Sequence, residues 1–379
     1  MRGTVFLAIC VFLFDTTSVV FGKNTQQPLK GATTNREYRI CNGCVPRELV
    51  HAPGIGIDLS SSYGTAAIRY HNGTVIDVGR VEGSTEYKDL MNRLSGPYKR
   101  YGPPFKTPLD RIEYDLDRAK RLARKFKGIP STEDVATLSS MLSQLRWLFS
   151  RETHMDVYGV VLSMRQMANL LPEDLTEALD WSAMYLIRSY KHQYGPLHNA
   201  NSAWAGMGMG ICEHWQDIEK CEEEEERFTP KQSLALTYTY DELAVEIVVM
   251  LNAHTSFRIV QERFTDLSYG TWDNDRSNMT YWDTIGRKVV ETSKKSAWPI
   301  EELILMGEYA EEKRFLDSIW KALGDTLDIQ KLWEPLQRPG FNAEFVAARG
   351  AGEMAKRWQG ETWNCVEGDW CEGNRDYAL

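Results

Sequence analysis

Apolar and polar positions along this chain switch between a period of two and a period near 3.6, and the switches mark its elements. The run Gly54–Leu59, G-I-G-I-D-L, predicts a short buried strand with Asp58 near its end. Thr65–Tyr70 and Val75–Val81 predict two further strands joined by His71-Asn72-Gly73-Thr74. That link carries the Asn-Gly signal of a tight hairpin, because both central residues tolerate φ > 0. Between the first two strands lies a turn of small residues, Ser60, Ser61, Ser62 and Gly64, with Tyr63 among them.

The helical period takes over next. Tyr87–Lys106 reads as loop and a short helix, and Leu109–Lys127 as an amphipathic basic helix. Its apolar face carries Ile112, Leu116, Ala119, Leu122 and Ala123, and its Lys/Arg face is expected to be solvated. Gly128-Ile129-Pro130 ends it, and Ser131 or Thr132 caps a helix over Glu133–Ser150. Asp156–Ser163 predicts a buried strand; Pro172–Tyr190 predicts a helix opened by proline and first-turn acids. Asn199–Ile211 predicts a helix of small residues against which another backbone can pack. The acidic run Glu222–Glu226 reads as a solvated loop closed by Cys212 and Cys221. A second strand-rich region follows at Ala235–Tyr240, Leu243–Met250, Ser256–Arg263 and Glu301–Gly307. Helices over Ala310–Leu323 and Ala343–Trp358 complete it.

At 379 residues the chain can bury one large core or two lobes. A net charge of -9 argues against nucleic acid or an anionic membrane as the main partner. Arg2 precedes the apolar run Val5–Phe14, and Val20-Phe21-Gly22 precedes a plausible cut near Lys23. Residues 1–22 therefore read as a secretory signal, too short to span a bilayer, and no membrane span remains after its removal. Residues 23–50 form a polar segment. The C-terminal Arg375–Leu379 is not the usual lumenal retention signal, which favours a secreted, extracellular protein over the endoplasmic reticulum lumen.

Cysteine usage agrees with export. Beyond Cys10, six cysteines cluster as Cys41/Cys44, Cys212/Cys221 and Cys365/Cys371. An even count in an exported chain predicts disulfides, and three local bridges are the simplest of fifteen possible pairings. Metal or redox use of Cys41-x-x-Cys44 lacks a second such pair and a strand-then-helix context. Asn72-Gly73-Thr74 and Asn278-Met279-Thr280 are glycosylation sequons.

A turn of small side chains beside a strand-end carboxylate suits phosphate and metal binding, since backbone N–H groups and hydroxyls can converge on an anion. The segment G-I-D-L-S-S-S-Y-G-T, residues 56–65, resembles the first phosphate-binding hairpin, G-I-D-L-G-T-T-Y-S, of the 70-kDa heat-shock chaperones and other actin-fold ATPases. The resemblance implies that Asp58 faces a metal and that Ser61 and Ser62 touch phosphate, with Ser60 and Tyr63 beside them. Ser60 replaces the family's glycine, adding a side chain where the backbone should approach closest. E-E-L-I-L-M-G-E-Y, residues 301–309, resembles the adenosine-side motif V-L-V-G-G-S and aligns Gly307 with its first glycine. E-F-V-A-A-R-G-A-G, residues 344–352, resembles the closing helix D-E-A-V-A-Y-G-A-A and brings in Arg349 and Gly350.

The implied fold is α/β: a two-lobe actin-like ATPase (ribonuclease H-like, duplicated) fold. Its first lobe would cover 51–215, its second 216–358, and a disulfide-pinned tail 359–379. Departures from the family pattern fall on the chemistry. The second phosphate hairpin, D-L-G-G-G-T-F-D, is replaced by Thr239–Glu246. Asp241 and Glu242 there oppose a triphosphate by on the order of several kcal/mol at a few ångströms. Asn201 occupies the position of the family's water-positioning glutamate, and an amide cannot act as a general base. The L-G-G-x-x-F-D loop survives only as Leu267–Asp273, and the short stretch 274–306 leaves no room for the adenosine-clamp subdomain. The resemblance thus implies weak or absent binding of ATP or ADP with Mg²⁺, weak or absent hydrolysis, and action through an unidentified protein partner. The alternative is a working chaperone-like ATPase using Asp58, Ser61, Ser62 and Gly307 with Mg²⁺. A secreted hydrolase built on paired carboxylates has no motif behind it.

Overall fold

Strands and helices alternate through the chain in two successive series. After β1 (Arg39–Ile40) and α1 (Arg47–His51) come β2 (Gly54–Leu59), β3 (Tyr63–Arg69), β4 (Val75–Glu82), α2 (Thr85–Leu94), α3 (Pro108–Phe126), α4 (Glu133–Thr153), β5 (Gly159–Met164) and α5 (Pro172–Trp181). Short strands β6 (Tyr185–Leu186) and β7 (Leu197–His198) lead into α6 (Asn199–Gly206) and α7 (Ile218–Glu226). The second series is β8 (Lys231–Tyr238), β9 (Leu243–Asn252), β10 (Thr255–Phe264), α8 (Met279–Ser293), β11 (Glu302–Met306), α9 (Lys313–Leu323), α10 (Ile329–Trp333), α11 (Val346–Trp358) and β12 (Cys365–Val366). The computed structural model describes residues 39–97, 102–189, 191–192, 195–264, 279–324, 327–362 and 365–374. The signal segment, most of the polar segment, the Leu267–Asp273 loop and Asn278 lie outside the described residues.

The first sheet runs β4-β3-β2-β5-β6, with β7 also paired to β5; the second runs β10-β9-β8-β11. β2 pairs antiparallel with β3 and parallel with β5. In the same way β8 pairs antiparallel with β9 and parallel with β11. Each sheet is therefore a three-stranded meander whose first strand takes a parallel partner on its other side, reached through helices. Every residue of β2 is buried, which explains its unbroken apolar run: α4 and its neighbours cover one face and α11 the other.

Small residues decide how closely the layers approach. A Cβ on Gly350 of α11 would sit 1.6 Å from the Ser202 carbonyl oxygen of α6, and one on Gly56 of β2 2.1 Å from that of Ala348. So β2, α11 and α6 pack backbone against backbone, as the small-residue composition of 199–211 predicts. Separate apolar clusters lie under each sheet, and two more surround α6 and α11. Residues Tyr38–Leu379 make one compact unit. No helix among the described residues is long and apolar enough to cross a membrane.

Several expected elements end early or change type. The helix from Pro172 stops at Trp181, because Ala183 takes φ 53° and Tyr185–Leu186 joins the edge of β5. The helix from Asn199 stops at Gly206, ahead of left-handed Gly208 and Gly210. The acidic run is not a loop but belongs to α7, capped by Asp217, with Glu223 paired to Arg227 one turn on. The helix expected from Ala310 begins at Lys313. Asn72 is exposed at the β3–β4 tip, where Gly73 adopts φ 96°.

All six cysteines form disulfides, consistent with a secreted or extracellular type of protein. Cys212 pairs with Cys221 as expected, but the other two bridges are not local: Cys41 pairs with Cys365 and Cys44 with Cys371. The reason is the parallel pairing of β1 with β12, which aligns Arg39 with Cys365 and brings the two segments side by side.

Candidate functional site

The β2–β3 turn places the serine cluster at the C-terminal end of β2, where Asp58 faces Thr65 on one side and Ser163 on the other. The Ser60 N–H donates to the Tyr63 carbonyl oxygen at 2.9 Å, and the Tyr87 hydroxyl donates to the Ser60 carbonyl at 2.8 Å. Asp58 is buried and accepts a hydrogen bond from the Ser163 hydroxyl at 2.6 Å. Burial pushes its pKa up to about 6, against the opposing pull of Ser163 and Arg165. Ser61 donates to Asp241 Oδ1 at 3.2 Å, while the buried Ser62 hydroxyl has no partner among the described residues.

The β8–β9 turn meets this cluster from the second sheet. Thr239 donates through its hydroxyl to Asp241 and through its N–H to the Glu242 carbonyl, both at 3.0 Å. Arg165, just past β5, grips the buried Glu242 carboxylate through one guanidinium nitrogen at 2.7 and 2.9 Å, and Arg263 closes on the same carboxylate. Burial alone would raise the Glu242 pKa, but Arg165 and Arg263 hold it below the usual value. On the far rim Arg80 pairs with Glu308 and, at 2.9 Å, with Glu344, and lies 4.2 Å over the Tyr63 ring. Glu308 also accepts the Tyr240 N–H at 2.8 Å.

Asp58, Ser60, Ser61, Tyr63 and Gly307 are thus brought to one cavity, together with Arg165 and Glu242. Its volume is about 20 Å³, room for roughly one water. The residues present do not fit a Mg²⁺-nucleotide. The hydroxyl of Ser61 and both turn acids are committed to partners inside the protein. Asp58 belongs to none of the described clusters of three metal-ligating groups, and the two such clusters consist mainly of disulfide-bonded cysteines.

Gly307 and the other expected site residues each have a structural task, and Arg349, Gly350 and Asn201 lie apart from the cavity. Gly307 takes φ 103° where a Cβ would sit 2.3 Å from the Tyr238 carbonyl oxygen, so its glycine character serves the close passage of β11 past β8. Arg349 faces away and holds Asp77 of β4 at 2.6 and 2.7 Å. Gly350 makes room for α6. Asn201 donates to the Asn252 carbonyl at 3.1 Å and accepts from the Ser256 hydroxyl at 2.5 Å, pinning α6 to the β9–β10 hairpin. It does not line the Asp58 cavity; Asn199 does. Compared with known proteins, the sequence matches no family model and no curated protein.

Sequence reasoning missed Arg80, Arg165 and Arg263, because nothing near them in the chain signals their acidic partners. It also missed a second cavity, about 260 Å³, lined by Trp215, Trp358, His254, Arg357, Glu225 and the Cys212–Cys221 bridge. His254 is buried there, and burial pushes its pKa down to about 4 despite Glu225, so it is neutral at physiological pH.

Asp58 supplies a test of the closed site. Its folded pKa near 6 exceeds the ordinary 3.8, so the native state keeps a proton that the unfolded state releases. Its contribution to stability therefore falls as pH rises through that window and stays unfavourable above it. Asp58→Asn is expected to stabilise the protein at neutral pH by up to about 3 kcal/mol, a gain that vanishes below the ordinary carboxylate range. Urea titrations at neutral and acid pH check this; a destabilised variant at neutral pH would mean that the carboxylate has a cationic partner.

Proposed function

We propose that this chain is a duplicated, two-lobe actin-like fold whose nucleotide cleft has been closed, and that it acts by binding a protein partner rather than by turning over ATP. The fold reading is supported by the shared wiring of the two sheets, β4-β3-β2-β5 and β10-β9-β8-β11, each with its parallel partner beside the first strand. The functional reading is carried by one observation: the buried Arg165–Glu242 pair fills the space beside Asp58 and Ser61, where the chaperone resemblance would put phosphate. Phosphoryl transfer needs donors free to face the phosphates and a group that orients water. Here the Ser61 and Thr239 hydroxyls face Asp241, the Ser163 hydroxyl faces Asp58, and Asn201 is engaged with the β9–β10 hairpin. The compartment fitting the three disulfides is the extracellular space or the lumen of the secretory pathway.

Calorimetric titration of the disulfide-intact protein with Mg-ATP and Mg-ADP tests this reading. No saturable heat and no phosphate release are expected. Micromolar binding that disappears in Asp58→Ala would establish the working-ATPase alternative instead.

A further inference from the structure

Helix α3 is mounted inside out. It opens with a capping box between Thr107 and Asp110, and none of its residues is buried. Its links to the body are polar: Arg121 to Asp174, Arg124 to Glu133 at 2.9 Å and Lys125 to Glu177 at 2.8 Å. At 3.6 residues per turn these three side chains share one arc of the helix. The opposite arc carries Leu109, Ile112, Leu116, Ala119, Ala123 and Phe126. Leu109, Ile112, Leu116 and Phe126, with Leu122 on the flank, are between 53% and 85% exposed. A surface helix ordinarily turns its apolar stripe inward; this one turns it outward.

The spacing of the stripe is 3-4-3-4-3, the narrow seam of a coiled coil rather than the wider face of a core helix. Charge is distributed unevenly along it. On one flank of the seam Glu113 precedes Lys120; on the other Asp115 precedes Leu122, while Arg118 stacks on Tyr114 beside the body-facing arc. We propose that α3 is an antiparallel dimerisation helix that pairs with α3 of a second copy of this chain. With the twofold axis near residues 117 and 118, Leu109 meets Phe126 of the second copy, Ile112 meets Ala123, and Leu116 meets Ala119. The same alignment sets Glu113 beside Lys120 of the second copy, and Lys120 beside its Glu113, along the flank those two residues share. An isologous interface must be self-complementary, and this sequence is.

At roughly 200 Å² for a fully exposed Leu, Ile or Phe, the stripe offers about 600 Å² per copy, close to the ~800 Å² per partner of a standard interface. An anionic membrane suits it less, because Glu113 and Asp115 would flank the inserted face and the whole chain carries -9. The inference is independent of the closed cleft.

Sedimentation velocity of the disulfide-intact chain is expected to give twice the monomer mass, and Leu116→Glu to return the monomer with unchanged circular dichroism. Two charge variants sharpen the test. Lys120→Glu leaves the flank of Glu113 and Lys120 acidic and Glu113→Lys leaves it basic. Each alone is expected to be monomeric, and their mixture to form a heterodimer. A wild-type monomer at up to about 100 µM, where an interface of this size associates, overturns the proposal. So does a dimer that survives Leu116→Glu. A monomer that pellets with phosphatidylserine vesicles, or one whose Lys120 cross-links within the chain to Lys23 or Lys30, assigns the stripe to another occupant and overturns it too.

Discussion

Replacing Glu242 by Gln is expected to destabilise the folded protein by about 3–5 kcal/mol, the usual range when one partner of a buried ion pair is removed. Glu242 is 1% exposed and Arg165 5%, so the guanidinium left behind has no water to turn to. Arg165 already has two guanidinium nitrogens, Nε and Nη1, without described partners, and the Gln amide would offer the third, Nη2, only a neutral oxygen in place of the carboxylate. Burial opposes ionisation of Glu242 but Arg165 and Arg263 overcome it, so its folded pKa lies below its unfolded one. The stabilisation is therefore present above the ordinary carboxylate range and lost as pH falls through the folded value. Urea unfolding of Glu242→Gln should show the full loss at neutral pH and little at strongly acid pH. The triple variant Arg165→Met/Glu242→Leu/Arg263→Met, which leaves neither guanidinium facing a lost carboxylate, should recover part of that loss, because apolar groups of similar size often replace a buried ion cluster without loss. A loss under about 1 kcal/mol for the single variant would mean that these charges are hydrated and the cleft open, which would undermine the proposed function.

The second large effect concerns the bridges between the chain ends, and it is expected to be strongly non-additive. Cys41–Cys365 and Cys44–Cys371 span 324 and 327 residues, nearly the same loop. Either bridge alone keeps the long loop of the unfolded chain closed. Cys41→Ser/Cys365→Ser should therefore lose only about 2–3 kcal/mol, the entropy of the ring of roughly ten residues that the second bridge closes, and Cys44→Ser/Cys371→Ser a similar amount. Removal of all four cysteines opens the long loop as well, and the chain-entropy relation then gives a loss on the order of 8 kcal/mol. Local bridges within each cysteine pair would make the three variants equally stable, because each of them opens both short rings. Stability of the three variants, with peptide mapping of the unreduced protein, separates the two connectivities.

Much of the local structure was legible. β2 begins and ends where its apolar run does, and α4 starts where Thr132 caps it, the hydroxyl accepting the Val135 N–H. The three meander strands of each sheet were found by their apolar pattern, because alternation and apolar runs record which faces of an element leave water. Caps and hairpin turns depend on residues a few positions apart, so a short window holds all the chemistry they need. The joining of the small-residue segment to another backbone was legible for the same reason: only glycine and alanine permit the approach.

What the window could not hold was decided by the tertiary structure. Arg165 and Glu242 are 77 positions apart, and Arg80 and Glu344 are 264 apart. Nothing local distinguishes a guanidinium that will be buried against a carboxylate from one that will face solvent. The Asp58 turn was correctly placed at a strand end, yet whether it faces an open pocket or a buried ion pair depends on how the second sheet docks. The same holds for the staples, since β1 and β12 meet only after everything between them has folded. It holds for α3 as well: its amphipathic pattern follows from the sequence alone, but which face turns outward was settled by Asp174, Glu177 and Glu133 capturing its arginines and lysine. Periodicity specifies the faces of an element; only long-range contact assigns each face its neighbour.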